Sequence, residues 1–208
     1  MACTVLTISR TLAAGGEEIG FTAAMEFGFR YADEEIIVRA AETAGVSPQT
    51  VAEMEHTPGL VMRIIEAMAH TPPDPEGWTA GYPALIGESR AGYQELIERV
   101  IRETAAKGGV VIVAHAASVP LTGMKGLLRS FVTAPRETRI ARLVRDAGMA
   151  EAEARKATEE SDRQRREYLR RFYDVREELP THYDLVLNTD VVTVPAAAQL
   201  LIAAAKSI

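Results

Sequence analysis

Five arginines fall within nine residues of this chain, in the run Asp162-Arg163-Gln164-Arg165-Arg166-Glu167-Tyr168-Leu169-Arg170-Arg171. The planar guanidinium fork matches phosphate oxygens in pairs. On a helix, Arg163, Arg166 and Arg170 share one face by their i, i+3, i+7 spacing, while Leu169 and Phe172 lie toward the core. An arginine helix that closes over a phosphoryl group supplies the charge that a phosphoryl-transfer transition state needs. The same residues also suit a solvated helix laced with i,i+4 ion pairs, such as Asp162 with Arg166. Their density in an otherwise acidic chain keeps both readings open.

A second stretch, Ser9 to Gly20 (SRTLAAGGEEIG), follows an apolar run and precedes a helical pattern. Glycines let a backbone approach a phosphate closely, and free N–H groups at a helix start form an anion site. The full signature G-x-x-x-x-G-K-[ST] is absent, and with it the lysine for the phosphates and the hydroxyl for magnesium. A strand-to-helix turn explains the stretch equally, since Glu17 and Glu18 favour the helix dipole by ~0.3–1 kcal/mol. If these glutamates faced a phosphate, each would repel it by about 1–3 kcal/mol. A nucleotide here requires them turned away or screened.

Three further sites stand at the ends of strand-like runs, where ligands gather in parallel sheets. Asp33 follows Tyr31-Ala32 and suits a metal-bound water or a substrate proton, or the N-cap of the next helix. His115 follows Val110–Ala114 and suits an anion when protonated, or a buried structural role. Tyr183 to Asp190 reads as a buried strand with a polar end that suits either a base-binding pocket or packing alone.

These residues need a frame. Five short runs read as strands: Cys3–Ile8, Phe29–Tyr31, Val110–Ala114, Ser130–Thr133 and Asp184–Leu187. Helical patterns fall at about 17–27, 34–44, 48–55, 58–69, 88–106, 136–147, 150–173 and 195–206. This alternation predicts an α/β fold, a parallel sheet with both faces covered, and Val110-Val111-Ile112-Val113 has the unbroken apolar character of a doubly buried strand. Ser47-Pro48 and Thr57-Pro58 mark helix starts, Pro135 marks another, and the segment His70–Pro83 with its four prolines reads as a surface loop. One domain over 1–208 is expected, with a helical insertion over 34–85 and a helical flap over 150–176.

Composition narrows the function. The 208 residues carry a net charge of −6, yet residues 136–176 hold 12 Lys+Arg against 9 Asp+Glu. A globally acidic chain with one basic segment points away from nucleic acid and toward a small anionic ligand. The single cysteine, Cys3, excludes an internal disulfide and multi-cysteine metal sites, and fits the cytoplasm. No run approaches the ~18 apolar residues of a membrane span, so no membrane partner is expected. The apolar helices at 58–69 and 195–206 suit a homodimer interface or a core.

In this order the pieces resemble the cytidylate kinase-like family of P-loop nucleoside monophosphate kinases. Ser9-Arg10 with AAGGEEIG is similar to its SR and GSGGREIG, and Tyr31-Ala32-Asp33-Glu34-Glu35-Ile36-Ile37 to its YYD-x-E-L-I. Val110 to Ala117 is similar to VVIVGRGA, and Val132 to Arg142 to V-x-A-P-x-E-x-R-I-x-R. Asp162 to Tyr173 and Tyr183 to Thr189 are similar to DR-x-R-x-x-Y-x-R-x-F-Y and YDLVLNT. The resemblance implies a P-loop-type three-layer α/β/α fold with a five-stranded parallel sheet, a monophosphate-binding insertion after the second strand and an arginine lid. It implies magnesium-assisted phosphoryl transfer from ATP to a pyrimidine monophosphate such as CMP.

By position, the resemblance places the donor along Arg10, Ala14, Gly15, Gly16, Glu17 and Glu18. It gives Arg163, Arg165, Arg166 and Asp33 to the transferring group, and Asp33, His115 and Asp162 to the acceptor. No metal-ligand set is assigned. Ala13 and Ala14 replace glycine and serine, Glu17 reverses a loop arginine, and His115 replaces an arginine. Those departures open a second reading, a catalytically impaired relative that senses a nucleotide or binds a partner.

Overall fold

A computed structural model describes residues 2–32, 90–113 and 116–208. The chain divides into two compact units, residues 1–33 with 104–208, and residues 34–103. In chain order the described elements are β1 (Val5–Arg10), α1 (Gly16–Phe27), β2 (Arg30–Ala32), α2 (Arg90–Ala106), β3 (Val110–Val113) and β4 (Leu127–Thr133). They continue with α3 (Arg136–Ala147), α4 (Glu151–Tyr173), β5 (Leu185–Asn188) and α5 (Val194–Lys206). The five strands form one sheet in the order β2-β3-β1-β4-β5, and each neighbouring pair is parallel. The α/β fold with its five-stranded parallel sheet is as expected.

Strand positions follow from burial. All four residues of β3 are buried, as a central parallel strand requires. β4 alternates, burying Leu128, Ser130 and Val132 and leaving Leu127, Arg129, Phe131 and Thr133 partly exposed. It starts three residues before the expected Ser130, because Arg129 masks the apolar pattern; its guanidinium is satisfied by Asp184, with Nη2 2.7 Å from Oδ1. Hydrogen bonding to Arg129 outweighs desolvation there and holds the Asp184 carboxyl below its ordinary pKa. β1 is shifted to Val5–Arg10 because its register with β4 runs on to Arg10 opposite Val132.

Helices α1 and α5 cover one face. Ile19, Ala23 and Ala24 of α1 meet Ala197, Ala198, Leu201, Ile202 and Ala205 of α5 over Leu6, Ile8, Val111, Val113, Leu128, Val132 and Leu187. Each large side chain fully buried here contributes about 1.5–3 kcal/mol by leaving water. Alanine on α5 is what lets that helix lie close. Within this unit, α4 crosses the other face at β4, where the Arg165 guanidinium lies 5.3 Å from the Phe131 ring centroid.

The helix limits at 136–147 are as read, and those of α1, α4 and α5 differ from expectation by one residue. The patterns at 34–44, 48–55 and 58–69, with the Ser47-Pro48 and Thr57-Pro58 signals, lie outside the described residues. Among the described residues no helix is long and apolar enough to cross a membrane.

Candidate functional site

The chain turns sharply where β1 ends. Thr11 donates its N–H to the Val132 carbonyl at 3.0 Å, and Ala14 donates back to Thr11 at 3.1 Å. Ala13 is left-handed with φ 59 and Gly15 with φ 84, and α1 begins at Gly16. No side chain caps this helix start. The N–H groups of its first turn therefore lack the satisfaction that a serine or aspartate cap gives.

Two glycines are required by contact. A Cβ on Gly15 would stand 2.5 Å from Val194 Cγ2, and one on Gly16 would stand 2.7 Å from the Cβ of Arg10. Gly15 also holds a backbone conformation that costs an L residue about 1–2 kcal/mol. Its glycine is set by geometry on both counts.

Arg10 and Arg165 converge beside this loop, and each brings its own carboxylate. Arg10 Nε donates to Glu17 across the loop, with the Glu17 side chain 47% exposed. Glu17 is thus turned onto a loop cation. From α4, Arg165 Nη1 donates to the Arg10 carbonyl at 3.2 Å, its Nε donates to Glu178 at 2.9 Å, and its Nη2 donates to the other Glu178 oxygen. The Tyr183 hydroxyl donates to Glu178 as well, and its ring stacks on Phe131 with centroids 5.1 Å apart.

This cluster is largely buried, and burial governs its titration. Desolvation raises the Glu178 carboxyl, but hydrogen bonds and charge from Arg165 outweigh it and leave the pKa lowered. Burial, aided by the Glu178 charge, pushes the Tyr183 hydroxyl up to about 12. Burial also opposes the Arg165 charge, yet Glu178 raises its pKa on balance. Beside the cluster lies a cavity of ≈ 290 Å³, bordered by Ser118, Arg129, Leu169, Glu178, His182 and Tyr183.

The other site candidates on α4 are placed differently. Arg163 is exposed and paired along the helix, with Nη2 2.6 Å from Glu160 and Nη1 3.2 Å from Glu167. Such exposed pairs stabilise by less than about 1 kcal/mol and give way readily to another anion. Arg166 is exposed and makes no ion pair among the described residues. Asp162 is bound bidentately by Arg139 of α3, at 2.9 and 2.7 Å, with side chains 15% and 5% exposed. Arg139 also donates to the Ala134 carbonyl at 3.0 Å. The i,i+4 partner expected for Asp162, Arg166, is displaced by this inter-helix pair.

Arg10, Ala14, Gly15, Gly16, Glu17, Glu18 and Arg165 are therefore brought to one place. Arg163 and Asp162 are engaged elsewhere on α4, and Asp33 and His115 lie outside the described residues. Glu178 escaped the sequence reading, and so did Arg142 and Thr189, which hold the loop from behind. Arg142 Nη1 donates to the Ala13 carbonyl at 3.1 Å and to Thr189 Oγ1 at 2.9 Å, and Thr189 Oγ1 donates to the Ala14 carbonyl at 2.8 Å. Arg142 in Arg139-Ile140-Ala141-Arg142 and Thr189 in the Tyr183–Thr189 run were the available signals; Glu178 had none.

A family model described as the cytidylate kinase-like family matches residues 5–191. Among solved structures, an uncharacterised protein from Eubacterium ventriosum is similar at TM-score 0.68 and 16% identity, covering 99% of each chain. Shikimate kinase from Bacteroides thetaiotaomicron is similar at TM-score 0.52 and 16% identity, over 95% of this chain and 96% of that one. Shikimate kinase from Acinetobacter baumannii in complex with shikimate gives TM-score 0.50 and 12% identity, over 98% and 93%. At these identities the likeness shows the fold, that of P-loop kinases. No curated protein sequence matches.

Proposed function

From the premise that the chain belongs to the cytidylate kinase-like family, we propose that it takes the terminal phosphoryl group of ATP to a pyrimidine nucleoside monophosphate such as CMP. The observation that carries this reading is the loop itself: left-handed Gly15, an uncapped helix start, the Arg10 side chain reaching across the loop to Glu17, and Arg165 donating to the Arg10 carbonyl. Backbone N–H groups at a helix start, with arginine beside them, are a phosphate site. Phosphoryl transfer asks the protein for position and charge more than for covalent chemistry. That is what this arrangement offers.

In this reading the donor phosphates lie against Ala14, Gly15, Gly16, Glu17 and Glu18, and Arg10 exchanges Glu17 for phosphate oxygen. Arg165 leaves Glu178 to meet the transferring group, and the exposed Arg163 and Arg166 close from α4. Asp33 and His115 are assigned to the acceptor, His115 holding its phosphate when protonated. Asp162 acts through Arg139, fixing α4 on α3. Magnesium, bound together with the nucleotide, would supply neutralising charge for the phosphates. Among the described residues no three carboxylate, imidazole or thiol groups gather for a metal.

Thermal melting with Mg-ATP, with each nucleoside monophosphate, and with both tests the reading. Ligand at 100 times its dissociation constant adds ~2.7 kcal/mol, about 5–11 °C for a chain of this size. ADP release with CMP then separates a kinase from a binder. No shift with any nucleotide overturns the proposal. A second reading, a catalytically impaired nucleotide or anion sensor, is favoured by the matching of Arg10 with Glu17 and Arg165 with Glu178. It requires a melting shift without ADP release.

A further inference from the structure

We propose that Arg142 and Thr189 are positioning residues for the phosphate loop, acting through the backbone of Ala13 and Ala14. The inference deepens the nucleotide reading and rests on it for its consequence in binding. Ala13 holds a positive φ of 59, a conformation that its Cβ disfavours and that glycine would take freely. Something outside the loop must hold it there. Within the described residues the bonds that reach the two alanine carbonyls come from Arg142 and Thr189, at 3.1 and 2.8 Å.

Those bonds also fix where the loop's donors point. In a trans peptide the carbonyl and the following N–H point opposite ways. With the Ala13 carbonyl drawn to Arg142, the Ala14 N–H is sent to Thr11, where it donates at 3.1 Å. With the Ala14 carbonyl drawn to Thr189, the Gly15 N–H is sent away from Thr189, and Gly15 is the N-cap of α1. A peptide flip at either alanine would put a carbonyl where a donor must be. Both carbonyls are therefore pinned.

The pin is anchored in rigid parts. Thr189 is 1% exposed, its N–H donates to the Thr133 carbonyl at the end of β4 at 2.8 Å, and it follows β5 directly. Arg142 comes from α3, donates to Thr189 Oγ1 at 2.9 Å and again to the Thr189 carbonyl. The hydroxyl thus accepts from Arg142 and donates to Ala14 at 2.8 Å, with the Thr133 carbonyl a longer second acceptor at 3.3 Å. A threonine-to-valine change removes both functions at nearly constant volume.

The test is a ¹H–¹⁵N spectrum of the full chain with Mg-ATP titrated into each variant. Thr189→Val is expected to move the Gly15 and Gly16 amide signals, leave those of Val111 and Leu128 in place, and weaken Mg-ATP about tenfold. Thr189→Ser is expected to keep both properties. Ala13→Gly added to Thr189→Val is expected to return part of both, because glycine takes the left-handed conformation at position 13 without the Cβ cost that the pin offsets. Gly15 and Gly16 signals unmoved by Thr189→Val overturn the proposal, and so does failure of Ala13→Gly to rescue. If Thr189→Val does not fold, Arg142→Gln replaces it with the same expectations. If the signals move and are rescued while the native chain ignores Mg-ATP, the positioning stands and the nucleotide reading fails.

Discussion

Truncating Asp162 to alanine is expected to destabilise the protein severely, whatever ligand it binds. Asp162 accepts two hydrogen bonds from Arg139, at 2.9 and 2.7 Å, and the Arg139 side chain is 5% exposed. Removing the carboxylate leaves a guanidinium buried with one neutral acceptor, the Ala134 carbonyl. Breaking such a pair from one side costs about 3–5 kcal/mol. For a chain of this length that is a fall in melting temperature of roughly 6–20 °C. Replacing both partners, Asp162→Leu with Arg139→Met, removes the stranded charge and is expected to recover most of the loss, to within about 2 kcal/mol of the native chain. Melting followed by circular dichroism on Asp162→Ala, on Asp162→Leu and Arg139→Met singly, and on the double variant completes the cycle. A loss below about 1 kcal/mol for Asp162→Ala refutes the reasoning. It would return Asp162 to the acceptor site that the family resemblance implies.

Other outcomes follow from the same geometry. Glu17→Gln frees Arg10 from its carboxylate, and Mg-ATP affinity measured by calorimetry is expected to rise three- to tenfold, the modest end for a glutamate 47% exposed; unchanged affinity would place Glu17 away from the phosphates. Tyr183 has a folded pKa of about 12 against an ordinary 10.0. The stability it confers is therefore complete below pH 10 and is lost as pH rises toward 12, by about 2–3 kcal/mol. Denaturation at stepped pH should show that slope in the native chain and not in Tyr183→Phe. Gly15→Ala combines a positive φ with a 2.5 Å approach to Val194. It is expected to cost about 2–4 kcal/mol in melting and to abolish any Mg-ATP shift.

The frame was legible because its signals are local. Val110 to Val113 has the unbroken apolar character of a doubly buried strand, and Pro135 marks the start of α3. The loop was legible as a turn, because Gly15 and Gly16 stand between an apolar run and a helical one. Its charge state was not. Nothing in the spacing of Arg10 and Glu17, seven residues apart across a tight turn, says that they meet. Arg165 and Glu178 are thirteen apart and are joined only because the chain returns from α4 to β5 beside Phe131. The arginine run was read by helical periodicity, which grouped Arg163, Arg166 and Arg170. That rule ranks residues by shared face, so it did not select Arg165, the one that reaches the loop, which the family resemblance alone had named. Long-range partners such as Asp162 with Arg139 and Thr189 with Ala14 carry no periodic trace at all.

The pairing of cations with carboxylates sets an order for what an incoming phosphate must displace. Glu17 is the easier partner to displace, since it is about half exposed and water can stabilise it once it is released. Glu178 is 18% exposed and is held by Tyr183 as well as Arg165. If Arg165 turns to a phosphate, Glu178 keeps the tyrosine hydroxyl, so the buried carboxylate is not stranded. Glu178 would still lose the charge that holds its pKa down, while the desolvation that raises it remains. Commitment of Arg165 is therefore coupled to easier protonation at Glu178, and an anion that engages only Arg10 leaves that proton equilibrium untouched. A ligand's proton uptake, measured by calorimetry in buffers of different ionisation enthalpy near pH 5, separates the two modes. Uptake that vanishes in Glu178→Gln assigns the proton to this carboxylate. Binding without any uptake would mean that Arg165 stays on Glu178 and that the loop receives its anion through Arg10 alone.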